Sequence, residues 1–216
     1  MIKLIAFDMD GVIFKHNNFW LELHKKLGTY EQGKKLTEKY LYDDYRQLVS
    51  EVVEKLWKGM DAAPFYELIS EMQFTAGAKE CFADLKEKGI KTAIISSGEK
   101  HLALFAQKEL GIDYVFSNEL MIKKNKITGD FLWPIGADNK DVFLKRLCED
   151  LKIPIEETCV VGHDQADIKM ARAAGWSIGF MPDDKFRKVC DETIDKEDLW
   201  LVVKIIEEMK NNSNRL

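Results

Sequence analysis

Residues 3–11 of the chain read KLIAFDMDG, an apolar run that ends at two aspartates and a glycine. A short apolar run that stops at a glycine-containing turn is typical of a buried central strand in a parallel sheet. In open parallel sheets, ligands bind beyond the carboxyl ends of the strands. We therefore expect the functional part of the molecule to begin at Asp8.

The pattern that follows this strand is first helical and then alternating. Apolar residues recur at helical spacing from about residue 18 to residue 73, which predicts a block of about four helices. After Thr75, helical and strand-like segments alternate, with a small hairpin over residues 121–130. Alternation of this kind predicts parallel pairing of the strands. The sequence therefore predicts an α/β fold, a doubly wound Rossmann-like parallel sheet with a small helical cap inserted after its first strand.

The domain boundaries follow from the same pattern. The 216 residues are enough for one core with an inserted subdomain. We expect residues 1–15 and 75–216 to form the α/β core and residues 16–74 to form the helical cap.

Composition and charge exclude several classes of protein. Hydrophobic residues make up 46% of the chain and charged residues 32%, which excludes collagen-like and wholly disordered proteins. The net charge of −5, without an uninterrupted basic cluster, argues against nucleic acid or an anionic membrane as the main partner. No apolar run is long enough for a transmembrane helix, and MIKLIAF is too short for a signal peptide, so we expect a cytoplasmic protein. The four cysteines form no CxxC pair, which argues against a zinc knuckle.

Two pairs of carboxylates follow predicted strands. Asp8 and Asp10 follow the first strand, where one can act as a nucleophile and the other can protonate a leaving alkoxide. Carboxylates this close raise each other's pKa unless a cation lies between them, and a hard divalent ion with oxygen ligands meets that need. Magnesium fits best. Asp164 and Asp167, after a later strand, can supply the remaining metal-binding carboxylate and order a metal-bound water.

A hydroxyl and a lysine complete the candidate catalytic set. Ser96 follows another predicted strand, and its hydroxyl can bind an anion together with the backbone amides of Ser97 and Gly98. Lys140, at the start of a predicted helix, can neutralise phosphoryl oxygens and hold Asp8 ionised. Each residue alone has an ordinary structural explanation, such as helix capping. Helix capping alone does not account for all of them at the ends of one parallel sheet, and the set indicates phosphate chemistry.

Four segments resemble the motifs of the haloacid dehalogenase superfamily. They are DMDGVI at 8–13, IISSGEK at 94–100, the region of Asn139 and Lys140, and VVGHDQADIKMARAAG at 160–175. The stretch FSNELMIKKNKITGD at 116–130 also resembles the phosphoserine phosphatase branch of that superfamily. The resemblance covers residues 1–14 and 75 to about 195.

The resemblance implies a phosphatase that works through a phosphoaspartyl intermediate on Asp8. Asp10 would protonate the leaving oxygen and then activate water, while Ser96 and Lys140 would hold the phosphoryl group. Magnesium would be bound by Asp8, by the backbone carbonyl of Asp10 and by the fourth motif. The expected substrate is a small phosphorylated metabolite. Phosphoserine is the best single candidate, and a sugar or nucleotide phosphate is the alternative.

The fourth motif departs from the branch. The branch usually has GDGxND, whereas this chain has GHDQAD, so His163 stands where a metal-binding aspartate is expected. Imidazole is a poor magnesium ligand. The simplest explanation is that Asp164 turns in as the ligand, with Asp167 as the second acid. The alternatives are manganese in place of magnesium, or a catalytically weakened protein that serves as a binding or regulatory module.

The predicted cap also departs from the branch. Phosphoserine phosphatases commonly carry a glutamate shortly after the first motif and an arginine on a cap helix. Here Asn17 stands at the simplest ungapped position for that glutamate, and Arg46 is the only arginine between residues 11 and 74. We expect Asn17, Trp20 and Arg46 to bind substrate, together with Ser97 and Gly98. The sequence leaves the oligomeric state open, and the aromatic residues of the cap make a dimer one option.

Overall fold

A computed structural model of the protein describes residues 1–15, 18–136 and 138–213. The strands of these residues are β1 (Leu4–Phe7), β2 (Lys91–Glu99), β3 (Tyr114–Lys123), β4 (Lys126–Leu132), β5 (Thr158–Gly162), β6 (Trp176–Phe180) and β7 (Glu192–Ile194). They form one sheet in the order β4-β3-β2-β1-β5-β6-β7, in which only β4 is antiparallel to its neighbour. The predicted mostly parallel sheet is confirmed, and β1 lies at its centre.

Helices lie between most of the strands. The α-helices of the described residues are α1 (Phe19–Lys26), α2 (Tyr30–Tyr40), α3 (Tyr45–Val49), α4 (Ala63–Glu71), α5 (Ala78–Glu87), α6 (Lys100–Leu110), α7 (Lys140–Leu151), α8 (Ile168–Ala173), α9 (Asp184–Arg187) and α10 (Leu201–Ser213). A π-helical segment, Ser50–Trp57, continues α3, and short 3₁₀ turns cover Ile155–Glu157 and Gln165–Asp167. None of these helices is both long and apolar enough to cross a bilayer.

The sheet buries both of its faces. Side chains of a strand alternate between the two faces, so Ile5 and Phe7 point one way and Leu4 and Ala6 the other. Ile5 and Phe7 belong to a core that includes residues of α5, α6 and α10. Leu4 and Ala6 belong to a second core with residues of α7 and α8. Helices therefore cover both faces, and the doubly wound architecture is confirmed.

Four α-helices and the π-helical segment, spanning residues 19–71, separate β1 from the rest of the core and are called the helical insertion below. Two backbone hydrogen bonds attach the insertion to β4: the Gly59 amide donates to the Ile127 carbonyl (2.8 Å), and the Ile127 amide donates to the Met60 carbonyl (3.0 Å). The turn between β3 and β4 lies at Lys124 and Asn125, within the predicted hairpin, and both residues have positive φ. The division into a core domain and a cap domain stays a prediction.

The junction between β2 and α6 depends on a buried carboxylate. Glu99 is fully buried, and its carboxylate accepts hydrogen bonds from the backbone amides of His101 (2.5 Å) and Leu102 (3.2 Å). The Leu120 amide lies 3.4 Å from the other carboxylate oxygen. Because amides in the first turn of a helix lack intrahelical partners, this cap fixes where α6 begins.

We predict that Glu99→Ala lowers the free energy of unfolding by about 2 kcal/mol, because it leaves buried amides without an acceptor. Glu99→Gln keeps one carbonyl oxygen as an acceptor and should lower the free energy of unfolding clearly less than Glu99→Ala does. Urea denaturation of the two variants and the wild type measures both effects. Equal losses in the two variants would contradict the capping role.

Candidate active site

The carboxyl ends of three adjacent strands meet at the candidate site. β1 lies between β2 and β5, and the Asp8 amide donates to the Val161 carbonyl (2.9 Å), which carries the pairing one residue past β1. The chain then turns at Gly11, whose φ of 74° lies in the left-handed region that favours glycine. This turn places Asp8 and Asp10 at the sheet edge that the ends of β2 and β5 also reach.

Lys140 joins two of these strand ends through a buried ion-pair network. Its Nζ lies 2.8 Å from Asp8 Oδ1 and 2.7 Å from Asp167 Oδ1. The Lys140 side chain is 1% exposed, Asp8 6% and Asp167 fully buried. Lys140 is the first residue of α7, so the helix delivers its ammonium directly to the sheet edge. The structure thus brings Asp8, Lys140 and Asp167 together.

The two aspartates after β1 have opposite protonation preferences. Burial alone would raise the pKa of Asp8, but the charges of Lys140 and His163 outweigh it and hold that pKa well below its usual range. Burial, together with the charge of Asp8, raises the pKa of Asp10 to about 7. Asp8 is therefore a carboxylate at neutral pH, whereas Asp10 can hold a proton there.

Asp10 also contacts the helical insertion. Its Oδ2 accepts a hydrogen bond from the backbone amide of Phe19 (3.2 Å), the first residue of α1. Its Oδ1 is buried and has no hydrogen-bond partner. A buried oxygen without a partner is unusual in a folded protein, and here it faces a site where a ligand can supply the missing contact.

The end of β2 is irregular at the site, with a register shift against β3 between Ile95 and Glu99. Ser96, Ser97 and Gly98 all line the cavity described below, and the Gly98 amide donates to Ser96 Oγ (3.1 Å). A Cβ on Gly98 would lie 2.4 Å from Met9 Cε, so the Met9 side chain would have to move to admit any other residue. The structure brings all three predicted anion-binding residues to the site.

The fourth motif has a geometry that the sequence alone did not reveal. His163 Nδ1 lies 3.4 Å from Asp8 Oδ2 and 3.8 Å from Asp167 Oδ2. Asp164 instead caps the following 3₁₀ turn, with its Oδ1 accepting from the Ala166 amide (2.8 Å). Asp167 Oδ2 accepts from the His163 amide (2.8 Å). The role of Asp164 as a metal ligand stays a prediction.

The donors at this edge suit a divalent cation. One ligand atom each from Asp8, His163 and Asp167 lies within 4.8 Å of the others. Burial alone would lower the pKa of His163, but Asp8, Asp164 and Asp167 raise it to about 9. The imidazole would therefore have to release its proton to bind a metal ion. His163 Nδ1 and Asp10 Oδ1 are both buried without a hydrogen-bond partner. Several carboxylates around one lysine, beside polar atoms that lack a partner, fit a divalent metal ion.

A cavity of about 100 Å³ extends from Asp8 and Asp10 into the helical insertion. Trp20 lines it, as predicted, and its indole Nε1 donates to the Ser97 carbonyl (3.3 Å). Arg46 is exposed on α3 and is not among the lining residues. Asn17 lies outside the described residues. Asn17, Trp20 and Arg46 were the predicted substrate-binding residues of this region. Among the described residues, Trp20 is the one of them that lines the cavity.

Sequence reasoning missed a link between the insertion and the end of β2. Asn118 is fully buried, and its Nδ2 donates to the Ser97 carbonyl (3.0 Å) and lies 3.3 Å from Tyr45 Oη. The Ser97 carbonyl therefore accepts from Asn118 in the core and from Trp20 in the insertion. The one feature of the sequence that could have indicated Asn118 was its position just after the apolar stretch at residues 114–116. Nothing in the sequence indicated that Tyr45 would reach it.

Comparison with known proteins identifies the family. The family model for haloacid dehalogenase-like hydrolases matches residues 2–175, and the chain belongs to this family of hydrolases. The resemblance noted in the four motifs is thereby confirmed, including the phosphoserine phosphatase-like branch. Metal dependence is general in this family.

Two curated relatives and two solved structures illustrate the branch. A phosphoserine phosphatase of Archaeoglobus fulgidus is 32% identical over 91% of this chain, which spans 58% of that protein. One of Methanocaldococcus jannaschii is 30% identical over 94% of this chain and 97% of that protein. A phosphoaspartyl-intermediate analogue of phosphoserine phosphatase has a TM-score of 0.85 at 28% identity, covering 94% of this chain and 98% of that one. A substrate-bound phosphoserine phosphatase has a TM-score of 0.84 at 28% identity, with coverages of 95% and 98%.

We predict that Lys140→Met lowers the free energy of unfolding by about 3–5 kcal/mol at neutral pH, because it leaves two buried carboxylates without their cation. Lys145 is the matched control, since it lies on the same helix and pairs with Asp141 at 2.7 Å but is 54% exposed. Lys145→Met should cost less than about 0.5 kcal/mol. Urea denaturation of both variants makes the comparison.

The pH dependence gives a second check on Lys140→Met. Without Lys140, burial would raise the pKa of Asp8 and of Asp167, so each carboxylate of the folded variant would take up a proton at a higher pH than in the wild type. The stabilisation by Lys140 is therefore complete only where both carboxylates of the variant are ionised, and it declines as the pH falls from there. The difference between wild type and Lys140→Met should shrink over that range. Similar losses of stability in Lys140→Met and Lys145→Met would contradict the role of the buried network. A stability difference between wild type and Lys140→Met that does not change with pH would contradict it as well.

Proposed function

We propose that the protein is a phosphomonoester hydrolase that forms a phosphoaspartyl intermediate on Asp8, with phosphoserine as its best-supported substrate. The observation that carries this proposal is the pairing of an ionised Asp8, held by Lys140, with an Asp10 whose pKa is raised to about 7. One group is ready to attack and the other to donate a proton.

In the first step, a carboxylate oxygen of Asp8 attacks phosphorus, and the bond from phosphorus to the ester oxygen breaks. The leaving oxygen takes the electron pair of that bond and a proton from Asp10. In the second step, Asp10 accepts a proton from water, whose oxygen attacks the phosphorus of the aspartyl phosphate. Inorganic phosphate leaves, and Asp8 is a carboxylate again.

The end of β2 and Lys140 hold the phosphoryl group in this proposal. Ser96 Oγ and the Ser97 amide can donate hydrogen bonds to phosphoryl oxygens, the Gly98 amide orients the Ser96 hydroxyl by donating to it, and Lys140 adds a positive charge beside Asp8. These donors are fixed by packing before the substrate arrives, which is the condition for strong stabilisation of developing charge. The proposal assigns Asp8, Asp10, Ser96 and Lys140 as the catalytic residues.

A divalent cation fits beside Asp8, with His163 and Asp167 as the neighbouring donors, and we propose Mg²⁺ with Mn²⁺ as the alternative. When bound, the ion would neutralise charge on the phosphoryl oxygens. The imidazole of His163 favours Mn²⁺, and the carboxylates favour Mg²⁺. Asp164 Oδ1 accepts from the Ala166 amide, which leaves Oδ2 as the oxygen of Asp164 that could join the ion.

The support for phosphoserine comes from the relatives. The curated relatives described above are phosphoserine phosphatases, and the matched structures include a substrate-bound phosphoserine phosphatase. The chain spans nearly the whole length of the Methanocaldococcus protein. The substrate of these proteins is therefore the first one to test on this chain.

We predict that the wild type releases phosphate from phosphoserine in the presence of Mg²⁺ or Mn²⁺ and that Asp8→Asn lowers this rate by at least about a thousandfold, since the nucleophile is lost. Asp113→Asn is the control, because Asp113 pairs with Lys91 away from the site. Acid quenching of the wild type during turnover of ³²P-labelled substrate should leave label on the protein, and Asp8→Asn should carry none. A wild type inactive with both metals would instead favour a binding module.

We also predict that His163→Asp raises the affinity for Mg²⁺ relative to that for Mn²⁺ by about tenfold or more, because it replaces a nitrogen ligand with an oxygen ligand. Titration calorimetry of the substrate-free protein with each ion measures this ratio without reference to activity. Asp164→Asn is the companion variant. Loss of Mg²⁺ binding in Asp164→Asn, with no change in His163→Asp, would make Asp164 the ligand instead.

A further inference from the structure

The part of the cavity that would receive the leaving group is built by the helical insertion. Trp20 and His24 line it from α1, Tyr45 from α3, and Val53 and Trp57 from the π-helical segment. Phe131 of β4 closes one side, 5.3 Å from the Trp20 ring in an edge-on arrangement. These walls are mainly aromatic and aliphatic.

No described residue of the insertion brings a charge to this cavity. Among the residues described, the insertion contributes neither a carboxylate, an ammonium nor a guanidinium to the lining. Arg46 is exposed, and the neighbouring residues outside the description, His16 and Asn17, supply neither a carboxylate nor a guanidinium. The ion partners that a zwitterionic amino acid needs are therefore not provided by these walls.

The ionisable groups of this half of the cavity are neutral at physiological pH. Burial lowers the pKa of His24 to about 4 and raises that of Tyr45 to about 12. Burial also raises the pKa of Tyr42, the remaining titratable group that the insertion places on the cavity wall, to about 12. Buried ions are stable only when paired or hydrogen-bonded.

The two tryptophans present ring surface rather than hydrogen-bond donors. Trp57 Nε1 donates to Thr29 Oγ1 (3.1 Å), and the same oxygen lies 2.7 Å from His24 Nδ1. Trp20 Nε1 donates to the Ser97 carbonyl. Both indole N–H groups are thus already used within the protein, which leaves the apolar ring surfaces for contact with a ligand.

From this lining we infer that the cavity takes a further class of substrate, phosphate monoesters whose leaving alcohol is uncharged and apolar, aromatic or aliphatic. The inference rests on the proposed function. Asp8 attacks phosphorus, the bond to the ester oxygen breaks, and the alcohol leaves with a proton from Asp10, so the products after hydrolysis are the neutral alcohol and inorganic phosphate. The aromatic walls contact the body of that alcohol.

The test compares substrates that differ in charge but not in size. Propyl phosphate and phosphoethanolamine have the same number of heavy atoms, and the second carries an ammonium. We expect kcat/KM for propyl phosphate to exceed that for phosphoethanolamine by at least about tenfold, because the walls built by the helical insertion offer an ion no partner. Phenyl phosphate, with an aromatic leaving group, and phosphoserine complete the panel. All four reactions should depend on Asp8.

A variant of the wall provides the second measurement. Leu41 lines the cavity and is partly exposed, so Leu41→Arg can place a guanidinium at the wall, and Leu41→Met is the uncharged control. Leu41→Arg should raise the ratio of kcat/KM for phosphoserine to that for propyl phosphate by about tenfold, whereas Leu41→Met should leave the ratio almost unchanged. Circular dichroism establishes that both variants are folded.

The outcomes separate the two proposals. Absence of Asp8-dependent phosphate release from every compound would overturn the proposed function. Efficient Asp8-dependent hydrolysis of phosphoserine, with propyl and phenyl phosphate at least about tenfold poorer, would overturn the inference alone. If Leu41→Arg does not fold, the wild-type comparison of propyl phosphate with phosphoethanolamine decides.

Discussion

The ammonium of Lys140 between the carboxylates of Asp8 and Asp167 is the interaction on which the rest of the site depends. Three groups from distant parts of the chain are buried together, and removal of Lys140 would leave two buried carboxylates without the ammonium that they share. The start of α7 and the ends of β1 and β5 must therefore keep their relative positions. The same network also keeps Asp8 ionised. The ion pairs that hold these backbone segments in place therefore also maintain Asp8 as a nucleophile.

The two halves of the cavity have different chemistry. The core half is strongly polar, because Asp8, Lys140 and Ser96 line it at the carboxyl ends of the strands. The half built by the helical insertion is apolar, and its titratable groups are neutral. The polar half can bind the phosphoryl group of any phosphate monoester. The apolar half contacts the leaving alcohol and therefore selects among substrates. Activity of the chain and its choice of substrate are thus carried by separate elements.

The sequence predicted much of the fold because its signals are local. The apolar run before Asp8 and the alternating elements after Thr75 gave the sheet, and the order of the motifs gave Lys140 its place near Asp8. The orientation of His163 and Asp164 could not be predicted, since it depends on which side chain caps the next helical turn. Arg46 could not be placed either, because α3 has only five residues, too short a stretch for its hydrophobic pattern to show which face is buried.

The hydrogen bond from the Phe19 amide to Asp10 Oδ2 joins the first turn of the insertion to the proposed proton donor. An amide donor favours the charged form of a carboxylate, so this bond lowers the pKa of Asp10 against the effect of burial. Thermodynamic linkage makes the relation mutual: if the position of α1 changes the proton affinity of Asp10, the charge on Asp10 changes how firmly α1 is held. Each proton that Asp10 gives up or takes back during turnover would therefore change the free energy with which the first turn of α1 is held against the core.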